Sequence, residues 1–254
     1  MKRMNRDSGA GAIRAETRDG VRTLTLDRPE RANAYTEAML DELLAQLHGS
    51  EIDPDVHVVV ITGQGDRHFC AGADREEIDG RDWRDALKLH SAGVFDTLLH
   101  STFATIAALN GAAVGGGFEL AMACDIRLAS DTARFWLPEP EFGLVPAAGG
   151  TRLLPLLVGP LRAKDMILGG ARWSATDALA AGFLSEVVAS SELSTSVDRW
   201  VERIQRRDPT ALRFAKDLIH QNAGLNQGTG PDRTAQAILV SLKQSGADPD
   251  ADPS

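Results

Sequence analysis

Three segments of the chain carry groups suited to acid–base and anion-stabilising chemistry. The first is His68-Phe69-Cys70-Ala71-Gly72-Ala73-Asp74, just after the apolar run VHVVVIT. Its small residues let a ligand approach the backbone closely. Alone, it reads as an ordinary strand-to-helix loop. The second is Asn110-Gly111-Ala112-Ala113-Val114-Gly115-Gly116-Gly117-Phe118-Glu119. Glycines after a buried strand and before a helix leave N–H groups free at the helix start, where developing negative charge is favoured. Glu119 then stands in an otherwise apolar helix, FELAMAC. An inward-facing carboxylate there is costly to ionise. The third is Trp136 to Gly150, WLPEPEFGLVPAAGG, whose prolines and glycines fix a loop presenting Glu139 and Glu141. It reads equally well as a solvated turn with two surface carboxylates.

Other chemistries lack their signatures. Gly63-x-Gly65 has no third glycine, because His68 stands at that position. There is no GxxxxGK[ST] phosphate loop and no GxSxG elbow. The six histidines show no metal-ligand spacing. Cys70 and Cys124 are too few for a disulfide scaffold or a four-cysteine zinc site, and they read as small buried hydrophobes. No metal site is expected. The 254 residues carry 27 Lys+Arg against 36 Asp+Glu, a net charge of −9. That balance argues against nucleic acid or an anionic membrane as the partner, whereas a small anion needs only a local site. The polar N-terminus has no apolar signal core, and Thr97–Phe118 is too polar and Gly-broken for a membrane helix. A cytoplasmic location is expected.

These segments need a scaffold, and its elements are readable. Ala12–Thr17 and Val21–Leu26 flank an Asp-Gly turn and read as a β-hairpin. Thr36 caps a helix to about Leu47, with Met39, Leu40, Leu43, Leu44 and Leu47 at helical spacing. Val56–Thr62 is a nearly continuous β-branched run, the pattern of a strand buried on both faces. One helix is expected over Trp83–Leu99. Strands follow at Thr105–Leu109 and Ile126–Ala129, with a buried helix at Phe118–Ala123 between them. From Thr151 the chain reads as helices near Arg152–Leu157, Arg162–Leu168, Ala175–Ala181, Glu192–Arg206, Pro209–Ala223 and Asp232–Lys243. The class is α/β with a helical C-terminal region.

Taken in order and spacing, the boxes resemble the crotonase superfamily, the enoyl-CoA hydratases and isomerases. They are Asp27-Arg28-Pro29-Glu30-Arg31-Ala32-Asn33-Ala34, FCAGAD at 69–74, NGAAVGGGFELAMACD at 110–125, PEPEFGLVPAAGGT at 138–151, and Trp173-Ser174-Ala175 with DALAAGF at 177–183. The resemblance runs from about Ile13 to Lys243. It implies a crotonase-like spiral of repeated ββα units with a helical C-terminal region. It implies a spiral core with the acyl-CoA site (12–190) and a helical oligomerisation region (191–244), while composition marks a flexible leader (1–11) and an acidic, Pro-rich tail (245–254) expected to be disordered.

By the same resemblance, the N–H groups of Ala73 and Gly116 form an oxyanion hole for a thioester carbonyl. Glu119 and Glu139 match the two catalytic carboxylates of the hydratases: both hold one water, Glu119 as base, while Glu139 delivers a proton to the α-carbon. Positions implied for CoA are Arg28, Arg31, Ala32, Ala34, Ala71, Asp74, Arg75, Gly115 and Trp136. The expected substrate is an acyl-CoA thioester, with no cofactor besides it, in a homotrimer or a hexamer built as a dimer of trimers. Alternatives within this reading are an enoyl-CoA isomerase, an acyl-CoA hydrolase and an acyl-CoA-binding subunit without turnover. Four features depart from the pattern. Glu76 stands where a basic residue is common, with Arg75 beside it. Trp136 replaces a small glycine and reads either as a pocket wall or as a core aromatic. Tyr35 replaces an aliphatic residue. The helix Asp232–Lys243 aligns with the family's penultimate helix, so its last, basic helix is expected to be missing.

Overall fold

A computed structural model describes residues 11–78, 82–225 and 230–245. The leader up to residue 10 and the acidic tail from 246 lie outside the described residues. The chain begins with a hairpin of β1 (Ala12–Arg18) and β2 (Val21–Asp27). Asp19 and Gly20, at φ +50 and +79, form its two-residue loop, the left-handed pair that matches strand twist. Helix α1 (Glu37–Ile52) starts at Thr36, whose Oγ1 accepts from the Met39 N–H at 3.2 Å.

There follow β3 (Val58–Gly63), β4 (His68–Cys70), α2 (Arg75–Ile78), α3 (Trp83–Lys88), α4 (His90–Leu99), β5 (Ala104–Leu109), β6 (Ala112–Val114), α5 (Gly116–Met122), β7 (Ile126–Ser130) and β8 (Arg134–Trp136). Next come α6 (Gly150–Val158), α7 (Pro160–Gly169), β9 (Trp173–Ser174), α8 (Ala175–Ala180) and β10 (Glu186–Val188). Helices α9 (Leu193–Gln205), α10 (Pro209–Asn222) and α11 (Gly230–Ser245) close the described chain. The single helix expected over Trp83–Leu99 is two. Leu89, at φ 1 and ψ 89, breaks it, and α3 carries its own capping box from Asp82 and Asp85.

Two sheets are built in step. One has the order β1-β2-β3-β5-β7-β10, the other β4-β6-β8-β9. From β3 to β8 the chain lays one strand in the long sheet and the next in the short one, the spiral of ββα units that the resemblance implies. The long sheet is parallel beyond its first hairpin, and both of its faces are covered. Val58, Val60, Ile106, Ala108 and Leu128 pack toward α9, with Leu193 and Val201. Their neighbours Val59, Ile61, Ala107, Leu109 and Ala129 face the main core. Period-two alternation with both faces apolar is why this strand reads as a continuous apolar run. Phe118, Phe135 and Phe183 meet in that core with ring centroids 4.8–5.6 Å apart. Lys216 anchors α10 by donating to Asp125 Oδ2 at 2.8 Å and to Ser101 Oγ at 3.1 Å.

Buried polar groups tie the loops at one end of the sheets. Asn33 Nδ2 donates to the carbonyls of Gln64 and His68, and Asn110 Nδ2 to those of Gly63, Gly65 and His68. Arg28 is 6% exposed and pairs with Asp74, 5% exposed, at 2.5 Å. Burial raises the Asp74 carboxyl, but hydrogen bonds from Arg28 and the Glu76 N–H outweigh it and hold the group below its ordinary value. This pair clamps the turn after β2 to the loop after β4. Because an unpaired buried charge is left behind, Arg28→Met is expected to destabilise the protein by about 3–5 kcal/mol in chemical denaturation, and adding Asp74→Leu is expected to recover most of it. A neutral Arg28→Met would show that the clamp is dispensable.

Candidate active site

The three sequence segments converge on one cavity of about 460 Å³. The loop after β4 supplies Ala71, Gly72 and Ala73, the start of α5 supplies Gly115, Gly116 and Glu119, and the end of β8 with the loop after it supplies Trp136, Pro138 and Glu139. The backbones meet without side chains between them. Gly72 lies at φ +92, and a Cβ there would sit 3.1 Å from both the Gly116 nitrogen and the Val114 oxygen. A Cβ on Gly117 would lie 2.1 Å from the Cys70 oxygen.

The same packing orients the two amides. Tyr35 pairs with Ala73 as an isolated parallel bridge, its N–H donating to Gly72 O at 2.9 Å and its carbonyl accepting from Asp74 N at 2.8 Å. Alternate N–H groups of an extended segment point to opposite sides, so the Ala73 N–H faces away from Tyr35's backbone. Gly116 opens α5, where first-turn N–H groups have no intrahelical acceptor.

The two carboxylates differ in their surroundings. Glu119 is 3% exposed, and its Oε1 accepts from the Gly150 N–H at 2.8 Å. Glu139 opens a short 3-10 turn, Glu139–Phe142. Its Oε2 is buried and has no hydrogen-bond partner. Burial pushes the Glu139 carboxyl up to about 7. Gly115, at φ +52, makes room for it: a Cβ there would lie 2.7 Å from Glu139 Oε1.

The remaining residues singled out in the sequence divide cleanly. Arg75 and Trp136 line the cavity with Ala71 and Gly115. Trp136 is a wall, and the Arg172 guanidinium lies 5.2 Å over its ring while pairing with Glu141 at 3.7 Å. Arg75 stands 4.7 Å over Phe142. Arg28, Arg31, Ala32, Ala34 and Asp74 are not on the wall. Arg28 and Asp74 are consumed by their buried pair, and exposed Arg31 pairs with Glu76 at 3.1 Å. Cys70 and Cys124 are buried, with thiols pushed up to about 12 chiefly by burial, which leaves them inert.

Several wall residues lay outside the sequence reading. Arg172, Gln236, Val240 and Lys243 join the lining, along with Tyr35. Helix α11, expected to serve oligomerisation, packs on α3 and closes this chain's own cavity. Gln236 Oε1 accepts from the Val145 N–H at 2.9 Å, which fastens α11 to the loop bearing Glu139. A polar residue between Ala235 and Ala237 was the only hint in the sequence. Among the described residues, no His, Cys, Asp and Glu group is arranged to hold a metal ion.

The Glu139 environment has a measurable signature. Its folded-state value lies above the ordinary 4.5, so the folded protein holds this proton more tightly than the unfolded chain does. That advantage is complete below about pH 4.5 and is lost as pH rises through about 7. Glu139→Gln is therefore expected to gain stability over the parent as pH rises, by about 2–3 kcal/mol at pH 8. Thermal unfolding across pH 4–8 reads the gap, and a gap independent of pH would contradict the buried, orphaned carboxyl.

Comparison with known proteins agrees with this geometry. The sequence profile of the enoyl-CoA hydratase/isomerase family matches residues 16–245. The chain is 37% identical over 203 residues to the short-chain-enoyl-CoA hydratase of Clostridium acetobutylicum, covering 79% of this chain and 78% of that one. It is 35% identical over 225 residues to the 2,3-dehydroadipyl-CoA hydratase of Escherichia coli, covering 88% of each. The crystal structure of enoyl-CoA hydratase from Bacillus anthracis superposes with a TM-score of 0.80 at 34% identity, covering 91% of both chains. With the fold, the converging boxes and these relatives in agreement, the chain belongs to the enoyl-CoA hydratase/isomerase family.

Proposed function

We propose that the protein adds water reversibly across the double bond of a 2-enoyl-CoA, with no cofactor besides the thioester. The observation that carries this reading is the unlike pair of carboxylates on one cavity. Glu119 is buried, and its Oε1 is held by the Gly150 N–H. Glu139 sits near 7, where a carboxyl can give up a proton at working pH. In this reading the raised Glu139 is the acid, and Glu119 takes the role of base that the family resemblance implies.

In this scheme the thioester oxygen sits between the N–H groups of Ala73 and Gly116. Water held by the two glutamates attacks the β-carbon, and Glu119 takes its proton. The electron pair moves into the thioester as an enolate, whose oxygen the two donors stabilise. Glu139 then protonates the α-carbon. Loss of one such donor costs about 3–4 kcal/mol of transition-state stabilisation, so the hole carries much of the catalysis. Arg75, Arg172 and Lys243 line the cavity and offer positive charge to the polyanionic CoA, whereas Arg28 and Arg31 are paired with Asp74 and Glu76. The same reading expects a homotrimer or a dimer of trimers in the cytoplasm. Exposed Phe214, Leu218 and Ile219 on α10 offer apolar surface for a second copy. Among the described residues, no helix is long and apolar enough to cross a membrane.

Crotonyl-CoA loses its conjugated enoyl absorbance on hydration. Glu119→Gln and Glu139→Gln are each expected to slow that loss by about 10²-fold or more, because each removes a proton-transfer group. Full activity in both would sink the two-carboxylate reading. A variant Glu119→Gln that still moves a 3-enoyl bond would favour the isomerase, and release of free thiol the hydrolase. Because Glu139 must be protonated to act, kcat/KM for hydration is expected to fall as pH rises above about 7. Glu139→Gln is expected to lack that limb.

A further inference from the structure

The loop that presents Glu139 closes largely on itself. Within it, the Glu141 N–H donates to Pro138 O at 2.9 Å, the Gly143 N–H to Pro140 O at 3.1 Å and the Leu144 N–H to the Glu139 carbonyl at 3.0 Å. Pro138, Pro140 and Pro146 have no N–H to offer. The next donor, Val145, turns outward and gives its N–H to Gln236 Oε1 on α11 at 2.9 Å. Gln236, Val240 and Lys243 all line the cavity, at the i, i+4 and i+7 spacing of one helix face. The residue that ties the loop thus belongs to the stripe of α11 that helps enclose the cavity. At that cavity, Glu139 Oε2 is buried without a hydrogen-bond partner.

We propose that Gln236 is a positioning residue for the hydration reaction: its side-chain oxygen latches α11 onto the Glu139 loop and keeps water from the carboxyl that gives up the proton. The inference rests on the assignment of Glu139 as the acid. Gln236 acts through two links, its bond to Val145 and the neighbouring bond from Leu144 to the Glu139 carbonyl. Without the latch, the Val145 N–H must find water, because a donor left unpaired away from solvent is costly. Water admitted there solvates Glu139. Solvation favours the ionised carboxylate, so the acid loses its proton at lower pH. The other charged groups on this cavity are Glu119, Glu141, Arg75, Arg172 and Lys243, and a substitution at 236 alters none of them. Helix α11 keeps its packing on α3.

Gln236→Leu keeps the bulk and removes the acceptor. The high-pH limb of kcat/KM for crotonyl-CoA is expected to move down by about one pH unit, so that activity at pH 8 falls about tenfold while activity near pH 5 stays within about threefold of the parent. Gln236→Met is expected to shift the limb likewise. Gln236→Glu keeps an acceptor for the Val145 N–H and is expected to hold the limb at or above its position in the parent. The second readout needs no substrate. The stability that Glu139→Gln gains as pH rises is expected to shrink by about a third when both forms carry Gln236→Leu, because Glu139 is then less raised. A limb and a stability gap that both stay at their parent positions in Gln236→Leu would overturn the proposal, even if turnover fell at every pH. A parent protein without a limb near pH 7 would instead defeat the assignment of Glu139 as the acid, on which the proposal stands.

Discussion

The site depends on the approach of two backbone segments to van der Waals contact. At Gly72 a single added carbon would press on the Gly116 nitrogen, and at Gly117 it would strike the Cys70 carbonyl. Side chains are absent here because the amides themselves are the working groups. Everything around the contact holds it in place. Asn33 and Asn110 satisfy the carbonyls at the end of β3 and the start of β4. The buried Arg28–Asp74 pair fixes the loop after β4 against the turn after β2. The parallel pairing of β4 with β6, and of β6 with β8, delivers all three loops to the same end of the short sheet.

On this rigid floor the two carboxylates differ in what surrounds them. Glu119 takes the Gly150 N–H at the start of α6, while Glu139 keeps one oxygen buried without a partner. An orphaned polar atom in a folded protein costs stability, and such costs concentrate where function requires them. Glycine enables both placements. At 115 it gives Glu139 its space. At 150 a Cβ would lie 3.0 Å from Glu119 Oε1. The glutamates and glycines of these boxes form one device.

Much of this is legible in the sequence, for identifiable reasons. β3 and β5 show because a parallel strand buried on both faces is a continuous apolar run. α1 shows because Thr36 and a leucine stripe mark its start and its face. Glu119 shows because a charge in FELAMAC has no apolar excuse. β4, β6, β8 and β9 do not show, because two or three residues carry no period and pair only through neighbours distant in the chain. The break at Leu89 is hidden because the apolar stripe continues across it. Arg28 is visible as a cation but not as a strut, since its partner Asp74 lies 46 residues away. The role of α11 is invisible for the same reason: its amphipathic pattern marks a buried face without saying what that face covers.

The central claim is that both carboxylates serve one water on one bound enoyl thioester. Turnover of crotonyl-CoA in deuterium oxide, followed by mass spectrometry and proton NMR, tests it most directly. The account expects a product that has gained one molecule of heavy water, with a single deuteron at the α-carbon and the oxygen at the β-carbon. A product that has only moved its double bond, or free CoA appearing in step with substrate loss, would contradict it.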